Sequence, residues 1–463
     1  MVMPFADAPA TIRNAMMTRR AASTADAPPS EPAAAEDLDT SDPGPAGPAP
    51  RNSVTAAPDF RQAVPQQGSH MTSATPVRRR RVLIAADTYP PDVNGVAHYA
   101  HRLAAGLAAR GNEVHVVCQS ADGPGRVEML DGVVVYRLRS APVLVSPGTR
   151  VALPVRLDRL VAGLAPDVVH VHSHLVVGRA AISAARRRGV PVVVTGHVAP
   201  DELLRSAPLP RAVRARLRAW AWRDLTRVFE RADLVTAPVA DPRDLPSERI
   251  FGPRVEAVSS GVDLARFRPQ VEPQAWARNR FGLPDRDTVL FVGRLRDDKR
   301  VDELIRALPH VLKVTDAQLA IVGSGRPRGA LERLAERLGV EDRVRFLGFV
   351  PDRSMPYVYA AANVFAMPRS SGLRHLATLE AMASGLPVVA ADTPGLSHLV
   401  ADAQNGHLYR PGETRALGRH IAELLGDPAS LAAMGARSRD MAATRGDQLS
   451  LLRFEEIYEE VDR

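Results

Sequence analysis

Residues 289–308 read VLFVGRLRDDKRVDELIRAL, a stretch that sets the fold the whole sequence predicts. The apolar run 289–293 is typical of a buried strand. After a short polar loop, four apolar residues recur at the i, i+3, i+4, i+7 spacing of an amphipathic helix. They are Val301, Leu304, Ile305 and Leu308. Asp297 or Asp298 is expected to start this helix. A strand, a loop and a helix in this order form the repeating unit of a parallel α/β sheet.

The same unit recurs from about Arg81 onward. Apolar runs predict a first series of strands at 82–86, 114–118, 133–136, 168–171, 192–195 and 234–237. A second series is predicted at 289–293, 319–323, 344–347, 364–367 and 388–391. One helix is expected from 96 to 110, with Gly111 as its stop. Two doubly wound sheets in tandem create a cleft between their carboxyl ends, where parallel sheets bind ligands.

The composition excludes several classes of protein. A chain of 463 residues with 45% hydrophobic content is long enough for two ordinary cores and an appendage. Its single cysteine, Cys118, excludes an internal disulfide framework and is expected to be buried. No apolar run reaches the length of about 18 residues that a membrane-spanning helix needs. The net charge of +8 suits phosphate ligands, anionic membranes and nucleic acid equally well.

The first 77 residues differ from the rest of the chain. They are rich in Ala, Pro, Ser and Thr and lack any apolar period, so a disordered extension is predicted for 1–77. Met71 lies just before the globular part and is a candidate start codon.

Two strand-end loops are candidate phosphate sites. Residues 87–95 lead from a strand to a helix and end in a glycine, so they either cradle a diphosphate or form a plain connecting loop. Arg294 and Lys299 follow the strand 289–293 and either neutralise a diphosphate or belong to a solvated basic loop. The sequence Gly323-Ser324-Gly325 lacks the third glycine of a dinucleotide site, which disfavours NAD.

Glu380 is a candidate ligand-binding acid. It lies on a mostly apolar helix that Gly385 is expected to close. Burying an unpaired carboxylate is costly, so Glu380 needs a partner such as sugar hydroxyls.

Together these segments resemble the two-domain GT-B glycosyltransferases, specifically the large retaining family 4. The resemblance runs from about Arg81 to the C-terminus and rests mainly on Gly-Arg-Leu-x-x-x-Lys at 293–299 and Leu-Glu-Ala-Met-Ala-Ser-Gly-Leu-Pro-Val-Val at 379–389. It implies two Rossmann-like, doubly wound parallel-sheet domains facing a cleft. The implied divisions are an acceptor domain at 78–265, a nucleotide-sugar donor domain at 266–445, and a C-terminal helix at 446–463 that crosses back to the N-terminal domain.

The resemblance also implies roles for individual residues. Arg294 and Lys299 hold the donor diphosphate, Glu380 takes the ribose hydroxyls, and His197 lies near the transferred sugar. The other positions implied to bind the donor are Asn94, Gly95, Phe349, Gly372, Arg374, His375 and Leu376.

The sequence departs from the family pattern at Gly372. Family members usually carry a glutamate there, eight residues before the one matching Glu380, and use it to hold hydroxyls of the donor sugar. Arg374 and His375 are candidate substitutes, or the donor is unusual. The alternative is a catalytically inactive binding or regulatory subunit.

No cofactor is expected, because Arg294 and Lys299 supply the positive charge that a divalent metal would otherwise provide. Transfer with retention of configuration is what the family resemblance implies. His170, His172 and His174 alternate along an extended segment and share a face; a structural role is favoured over a metal site.

The acceptor is the least determined partner. A lipid and a small-molecule natural product such as an aminoglycoside both remain candidates. The cationic helix 211–231, with Trp222 expected to be exposed, is interpreted as packing on the N-terminal domain, with contact to a membrane surface as the alternative. Nucleic acid is disfavoured because aromatic residues make up only 5% of the chain. A cytoplasmic location is expected, with peripheral contact at the inner face of the membrane as its variant.

Overall fold

The computed structural model describes residues 79–92, 94–143, 150–153, 157–197, 210–238, 255–269, 271–369, 375–393 and 395–463. The predicted extension 1–77, including Met71, lies outside these residues. The described chain forms two α/β halves in succession, each built on its own parallel sheet.

The N-terminal half contains an eight-stranded sheet in the order β10-β9-β8-β7-β1-β2-β4-β3. All neighbouring strands are parallel except β3 and β4. The strands are β1 (Arg81–Ala85), β2 (Glu113–Gln119), β3 (Arg126–Leu130), β4 (Val133–Leu138), β7 (Val168–Val171), β8 (Val192–Thr195), β9 (Leu234–Ala237) and β10 (Val255–Ala257), with a separate hairpin of β5 (Ser140–Pro142) and β6 (Arg150–Ala152). The helices are α1 (Gly95–Ala109), α2 (Leu157–Leu164), α3 (Val176–Arg186) and α4 (Arg211–Phe229).

The C-terminal half contains a six-stranded, fully parallel sheet in the order β13-β12-β11-β14-β15-β16. Its strands are β11 (Asp287–Val292), β12 (Ala317–Val322), β13 (Val344–Gly348), β14 (Val364–Met367), β15 (Val388–Ala391) and β16 (Gly406–Tyr409). The helices are α5 (Gln274–Arg280), α6 (Val301–Val311), α7 (Arg328–Leu338), α8 (Met355–Ala360), α9 (Leu376–Ala383), α10 (Thr414–Gly426), α11 (Pro428–Ala443) and α12 (Asp447–Val461).

Both sheets reverse their strand order at an internal point. The chain leaves β1 toward β2 and later returns to β7 on its other side; in the second sheet it leaves β11 toward β12 and returns to β14. At such a point the two connections run to opposite faces, which opens a crevice at the carboxyl ends of the strands. The expected doubly wound architecture is confirmed, and each half has one such crevice.

The core strands match their predicted positions closely, and five of them agree to the residue: β7, β8, β9, β14 and β15. The short or edge strands β3, β5, β6, β10 and β16 were not predicted. The helix expected at 96–110 is α1, one residue earlier. Gly111 follows it with φ of +94°, the conformation that a helix-ending glycine adopts readily.

The start of α6 differs from the prediction. Asp297 and Lys299 bound a 3₁₀ turn, and α6 begins only at Val301 after Arg300 in a left-handed conformation. Neither Asp297 nor Asp298 therefore caps this helix. Its predicted apolar face is correct, since Val301, Leu304, Ile305 and Leu308 are all buried.

The last helix of the chain, α12, follows the C-terminal half in sequence but packs on the core of the N-terminal half. Leu451, Phe454, Ile457 and Tyr458 pack into the apolar cluster formed by β1, β2 and α1. At this contact Gly106 of α1 faces the Leu451 side chain, which a Cβ at position 106 would displace because it would lie 2.7 Å from Cδ1. The expected crossing of a C-terminal helix back to the first half is confirmed by this packing.

The exposed face of α4 is not the one that the sequence suggested. Trp222 is half-buried against the core of the N-terminal half, beside Leu225 and Val228. Trp220 is instead 61% exposed and continues a stripe with Val213 and Leu217. Among the described helices, none has both the length and the apolar character needed to cross a bilayer.

Candidate active site

The loop after β11 carries the two predicted diphosphate ligands. Arg294 is exposed and Lys299 is half-buried. Backbone bonds hold the loop to its neighbour: Gly293 donates to the Val322 carbonyl at 2.9 Å, and Leu295 donates to the Ser324 carbonyl at 2.9 Å. Both cations therefore leave a backbone that is fixed at the carboxyl end of the sheet.

The two glycines after β12 allow this contact. A Cβ on Gly323 would lie 2.0 Å from the Gly293 carbonyl oxygen, and one on Gly325 would lie 1.9 Å from that of Leu295. Gly323 also has φ of +131°, which favours glycine. The close packing of the two loops therefore accounts for both glycines of Gly323-Ser324-Gly325, the motif that resembled part of a dinucleotide site.

Glu380 lies on α9, the helix that follows β14 on the other side of the crevice. Its side chain is 8% exposed. The Tyr359 hydroxyl donates a hydrogen bond to one carboxylate oxygen at 2.8 Å. Burial raises the pKa of Glu380 to about 7, while the Tyr359 bond and the Arg102 charge act in the opposite direction. The buried Glu380 carboxylate was expected to need a hydrogen-bond partner, and Tyr359 is such a partner, although the sequence did not predict it.

Charges from both halves meet near Glu380. Arg102 lies on α1 of the N-terminal half, and its charge acts on the Glu380 carboxyl together with those of Asp352 and Arg266 from the C-terminal half. Arg266 and Asp352 form an ion pair at 2.7 Å. The same two residues act on His98 of α1, whose pKa burial lowers. Charged and titratable groups of α1 and of the C-terminal half therefore act on one another.

Five further residues of the C-terminal half were predicted to bind the donor, and the structure describes three of them. His375 is buried and immediately precedes α9, and Leu376 is the half-buried first residue of that helix. Phe349 follows β13 and is largely exposed. Gly372 and Arg374 lie outside the described residues. The roles of all five stay predictions.

Asn94 has a structural role in the first half. Its side-chain oxygen accepts the backbone N–H groups of Val96 and Ala97, each at 3.0 Å, so Asn94 caps α1. Gly95 is the exposed first residue of the helix. Asp87, at the end of β1, accepts the Ser173 hydroxyl and the Val177 N–H and so joins this loop to the one after β7. The contact of Asn94 and Gly95 with a donor stays a prediction.

His197 lies at the carboxyl end of β8 and is 5% exposed. Its Nε2 is 2.9 Å from Nδ1 of His172. His172 follows the end of β7, the strand next to β8. The sequence predicted a site at the end of β8, but the pairing with His172 is a contact that only the fold reveals.

The three histidines of 170–174 do not act as one group. His170 bonds to the Tyr458 hydroxyl at 2.7 Å and to the Thr195 hydroxyl at 2.6 Å. His172 pairs with His197, and His174 lies beyond the end of β7, so the expectation that all three share a strand face is wrong. His170 is held by two hydroxyl groups, His172 is held by a second imidazole, and the two rings lie 4.2 Å apart, which favours a structural cluster over a metal site.

One other group in the described chain brings possible metal ligands together, far from the predicted donor residues in sequence. His407, His420 and Glu423 have ligand atoms within 4.8 Å of one another. The two imidazoles stack at 4.6 Å with their planes 12° apart. Ring nitrogen lone pairs lie in the ring planes, so this stacked pair does not direct them at one ion.

Comparison with known proteins identifies the chain. The family Glycosyltransferase Family 4 matches residues 93–266, and the family Glycosyl transferases group 1 matches residues 276–441. D-inositol 3-phosphate glycosyltransferase of Salinispora tropica is 34% identical over 76% of this chain and 79% of that protein. The chain belongs to glycosyltransferase family 4. It is a nucleotide-sugar glycosyltransferase with the GT-B fold.

Two further comparisons bear on this family 4 enzyme. The GDP-mannose-dependent alpha-(1-6)-phosphatidylinositol monomannoside mannosyltransferase of Mycolicibacterium smegmatis is 38% identical over 49% of this chain and 64% of that protein. Sucrose-phosphate synthase of Thermosynechococcus elongatus has the same fold, with a TM-score of 0.66, 23% identity, and coverage of 83% of this chain and 99% of that chain. The Salinispora and Mycolicibacterium relatives bear the names of active transferases, which does not favour the inactive alternative.

Proposed function

We propose that this enzyme moves a hexosyl unit from a UDP- or GDP-sugar to an acceptor hydroxyl, with retention of configuration and without a divalent metal. The observation that carries the proposal is the placement of its predicted donor ligands. Arg294 and Lys299 follow β11, Glu380 lies on the helix after β14, and β11 and β14 flank the crevice of the C-terminal sheet. Ligands of open parallel sheets bind in this kind of crevice.

The chemistry divides between these groups. Cleavage of the sugar–diphosphate bond builds negative charge on the departing diphosphate and positive charge on the sugar. Arg294 and Lys299 stabilise the first charge from a fixed backbone, so no metal is required for that task. The Glu380 carboxylate accepts hydrogen bonds from the ribose hydroxyls, and His197 contacts the transferred sugar. The acceptor hydroxyl arrives on the face that the diphosphate leaves, which preserves the configuration.

The proposed donor is GDP-mannose, since the Mycolicibacterium relative carries this dependence in its name. Gly372 removes the carboxylate that the family usually offers to the sugar. We assign its hydroxyl-binding task to Arg374 and His375, which follow Gly372 by two and three residues.

The proposed acceptor is a lipid at a membrane surface. Val213, Leu217 and Trp220 form an exposed apolar stripe on α4, and exposed arginines such as Arg216 and Arg223 lie along the same helix. An apolar stripe beside cations suits the boundary between acyl chains and anionic headgroups. The Mycolicibacterium relative is named for a phosphatidylinositol acceptor.

Incubation with GDP-mannose, UDP-glucose and related donors, followed by mass spectrometry of the products, tests the proposed activity. We expect a hexosyl product with GDP-mannose at the same rate in the presence and absence of EDTA, because Arg294 and Lys299 replace the metal. Loss of all turnover in EDTA, restored by Mg²⁺, would contradict the metal-independent mechanism. Release of free sugar alone would show a donor site without the proposed acceptor.

Sedimentation with vesicles tests the membrane contact of α4. Replacing Leu217 and Trp220 by Ser is expected to weaken binding to phosphatidylglycerol-containing vesicles about tenfold, because two exposed apolar side chains that enter the membrane surface are lost. Trp276→Ser is the matched control, since Trp276 is a similarly exposed tryptophan of the C-terminal half. Equal sedimentation of the double variant and the control would exclude this helix as the contact.

A further inference from the structure

Two buried imidazoles meet at the carboxyl edge of the first sheet. Nδ1 of His172 and Nε2 of His197 are 2.9 Å apart, and the rings stack with centroids 5.2 Å apart and planes 26° apart. His172 is only 2% exposed. The hydrogen bond and the stacking together restrict the rotation of the His197 ring.

Tyr99 of α1 closes the pair from the other side. Its ring meets His197 edge-on with centroids 4.8 Å apart, and it lies 5.5 Å from His172. Behind His172, the His170 ring follows at 4.2 Å and is itself held by Tyr458. His172 therefore has little room to move, and it can transmit this rigidity to His197.

A hydrogen bond between two neutral imidazoles requires one donor and one acceptor, so two tautomeric arrangements are available. Burial lowers the pKa of His172 to about 3, which keeps this ring neutral at any pH near 7. Among the described residues, Nε2 of His172 has no hydrogen-bond partner. If His197 were the donor, His172 would have to carry its proton on this buried Nε2. If His172 is the donor, the His197 proton lies on Nδ1 instead, and in the proposed function His197 is the ring that meets a sugar oxygen, which can accept a hydrogen bond from that proton.

We propose that His172 is a positioning residue for His197: it donates from Nδ1 to Nε2 of His197, which keeps the His197 proton on Nδ1 and its ring in one orientation. The consequence for catalysis rests on the proposed function, in which His197 contacts the transferred sugar. A fixed N–H donor on His197 then recognises one arrangement of sugar oxygen atoms. His172 acts on the sugar only through His197.

The tautomer can be measured without any assay of transfer. In two-bond proton–nitrogen spectra of the full chain labelled at histidine, with His197 assigned by the His197→Asn variant, we expect the proton of His197 on Nδ1. In His172→Leu we expect His197 to revert toward the Nε2–H form that free imidazole side chains favour. His172→Asn places an N–H donor near the position of Nδ1 and is expected to restore the Nδ1–H form.

Kinetics separate positioning from general loss of structure. His172→Leu is expected to lower kcat/KM for the nucleotide-sugar about tenfold, while the affinity for the free nucleoside diphosphate stays unchanged, because His197 contacts the sugar and not the nucleotide. His172→Asn is expected to recover most of this loss. His174→Asn is the matched control, since His174 comes from the same segment and lies beyond the end of β7.

Three outcomes decide the proposal. An Nε2–H tautomer of His197 in the wild-type protein, or an unchanged tautomer in a folded His172→Leu variant, would overturn it. Equal loss of nucleoside diphosphate and nucleotide-sugar binding would also overturn it, because the defect would then be structural. If His197→Asn transfers sugar normally while the tautomer results hold, the role of His197 in the proposed function fails and the pairing with His172 stands.

Discussion

Replacing Arg294 by Ala is expected to lower kcat about 100- to 1,000-fold, with a smaller effect on KM for the donor. This is the range found when one preorganised group that stabilises developing charge is removed from an enzyme. The effect falls on kcat because the diphosphate gains its additional charge only in the transition state. Lys299→Ala is expected to act in the same direction, and initial rates over a range of donor concentrations measure both.

The matched control is Arg296→Ala in the same loop. Arg296 is exposed and its Nε lies 2.8 Å from the Asp298 carboxylate, so its charge is engaged locally. We expect this variant to retain wild-type kcat. A loss in Arg296→Ala equal to that in Arg294→Ala would mean that only the net charge of the loop matters, and the assignment of Arg294 to the diphosphate would fail.

Replacing Glu380 by Gln is expected to weaken donor binding about 10- to 100-fold at pH 8 and to remove most of its pH dependence. Ribose hydroxyls donate to a carboxylate more strongly than to an amide oxygen. Burial raises the pKa of Glu380 to about 7, so much of the free wild-type enzyme carries a protonated acid at pH 6. Wild-type affinity for the nucleoside diphosphate should therefore rise with pH and level off above pH 8, as titration calorimetry can measure.

The same carboxyl has an opposite effect on the ligand-free fold. Its folded pKa of about 7 lies above the value of 4.5 that an exposed glutamate has in the unfolded chain, so its stabilising contribution is complete below the unfolded pKa and is lost as the pH rises through 7. Between pH 4.5 and 8 the wild type should lose on the order of 3 kcal/mol that Glu380→Gln keeps. Melting temperatures of the two proteins that stay parallel across this range would show that Glu380 is not buried as an acid.

The sequence was sufficient for the main strands and for the residues on their ends. Runs such as 364–367 and 388–391 are apolar over the full length of a strand buried on both faces, so their bounds are sharp. Edge strands such as β3 and β16 are half-exposed, which dilutes the apolar signal. The loop Gly293–Lys299 could be placed because it directly follows one of the clear strands.

Contacts between distant segments could not be predicted in the same way. Tyr359 and His172 are separated from Glu380 and His197 by complete strand connections, and no local pattern links either pair. The prediction of the exposed face of α4 was wrong for a related reason. Helical periodicity gives the angle between Trp220 and Trp222, but it does not show which of them faces the sheet. The glycines 323 and 325 gave a signal whose cause, backbone contact with the next loop, appears only in three dimensions.

The return of α12 has a consequence for biosynthesis. The first sheet emerges from the ribosome long before residues 447–461, yet its apolar layer is complete only when Phe454, Ile457 and Tyr458 are in place. The nascent N-terminal half must therefore wait, with that layer uncovered, while the whole second half is translated. The first core is therefore sealed only when residues 447–461 have left the ribosome, and not when its own sheet has been synthesised.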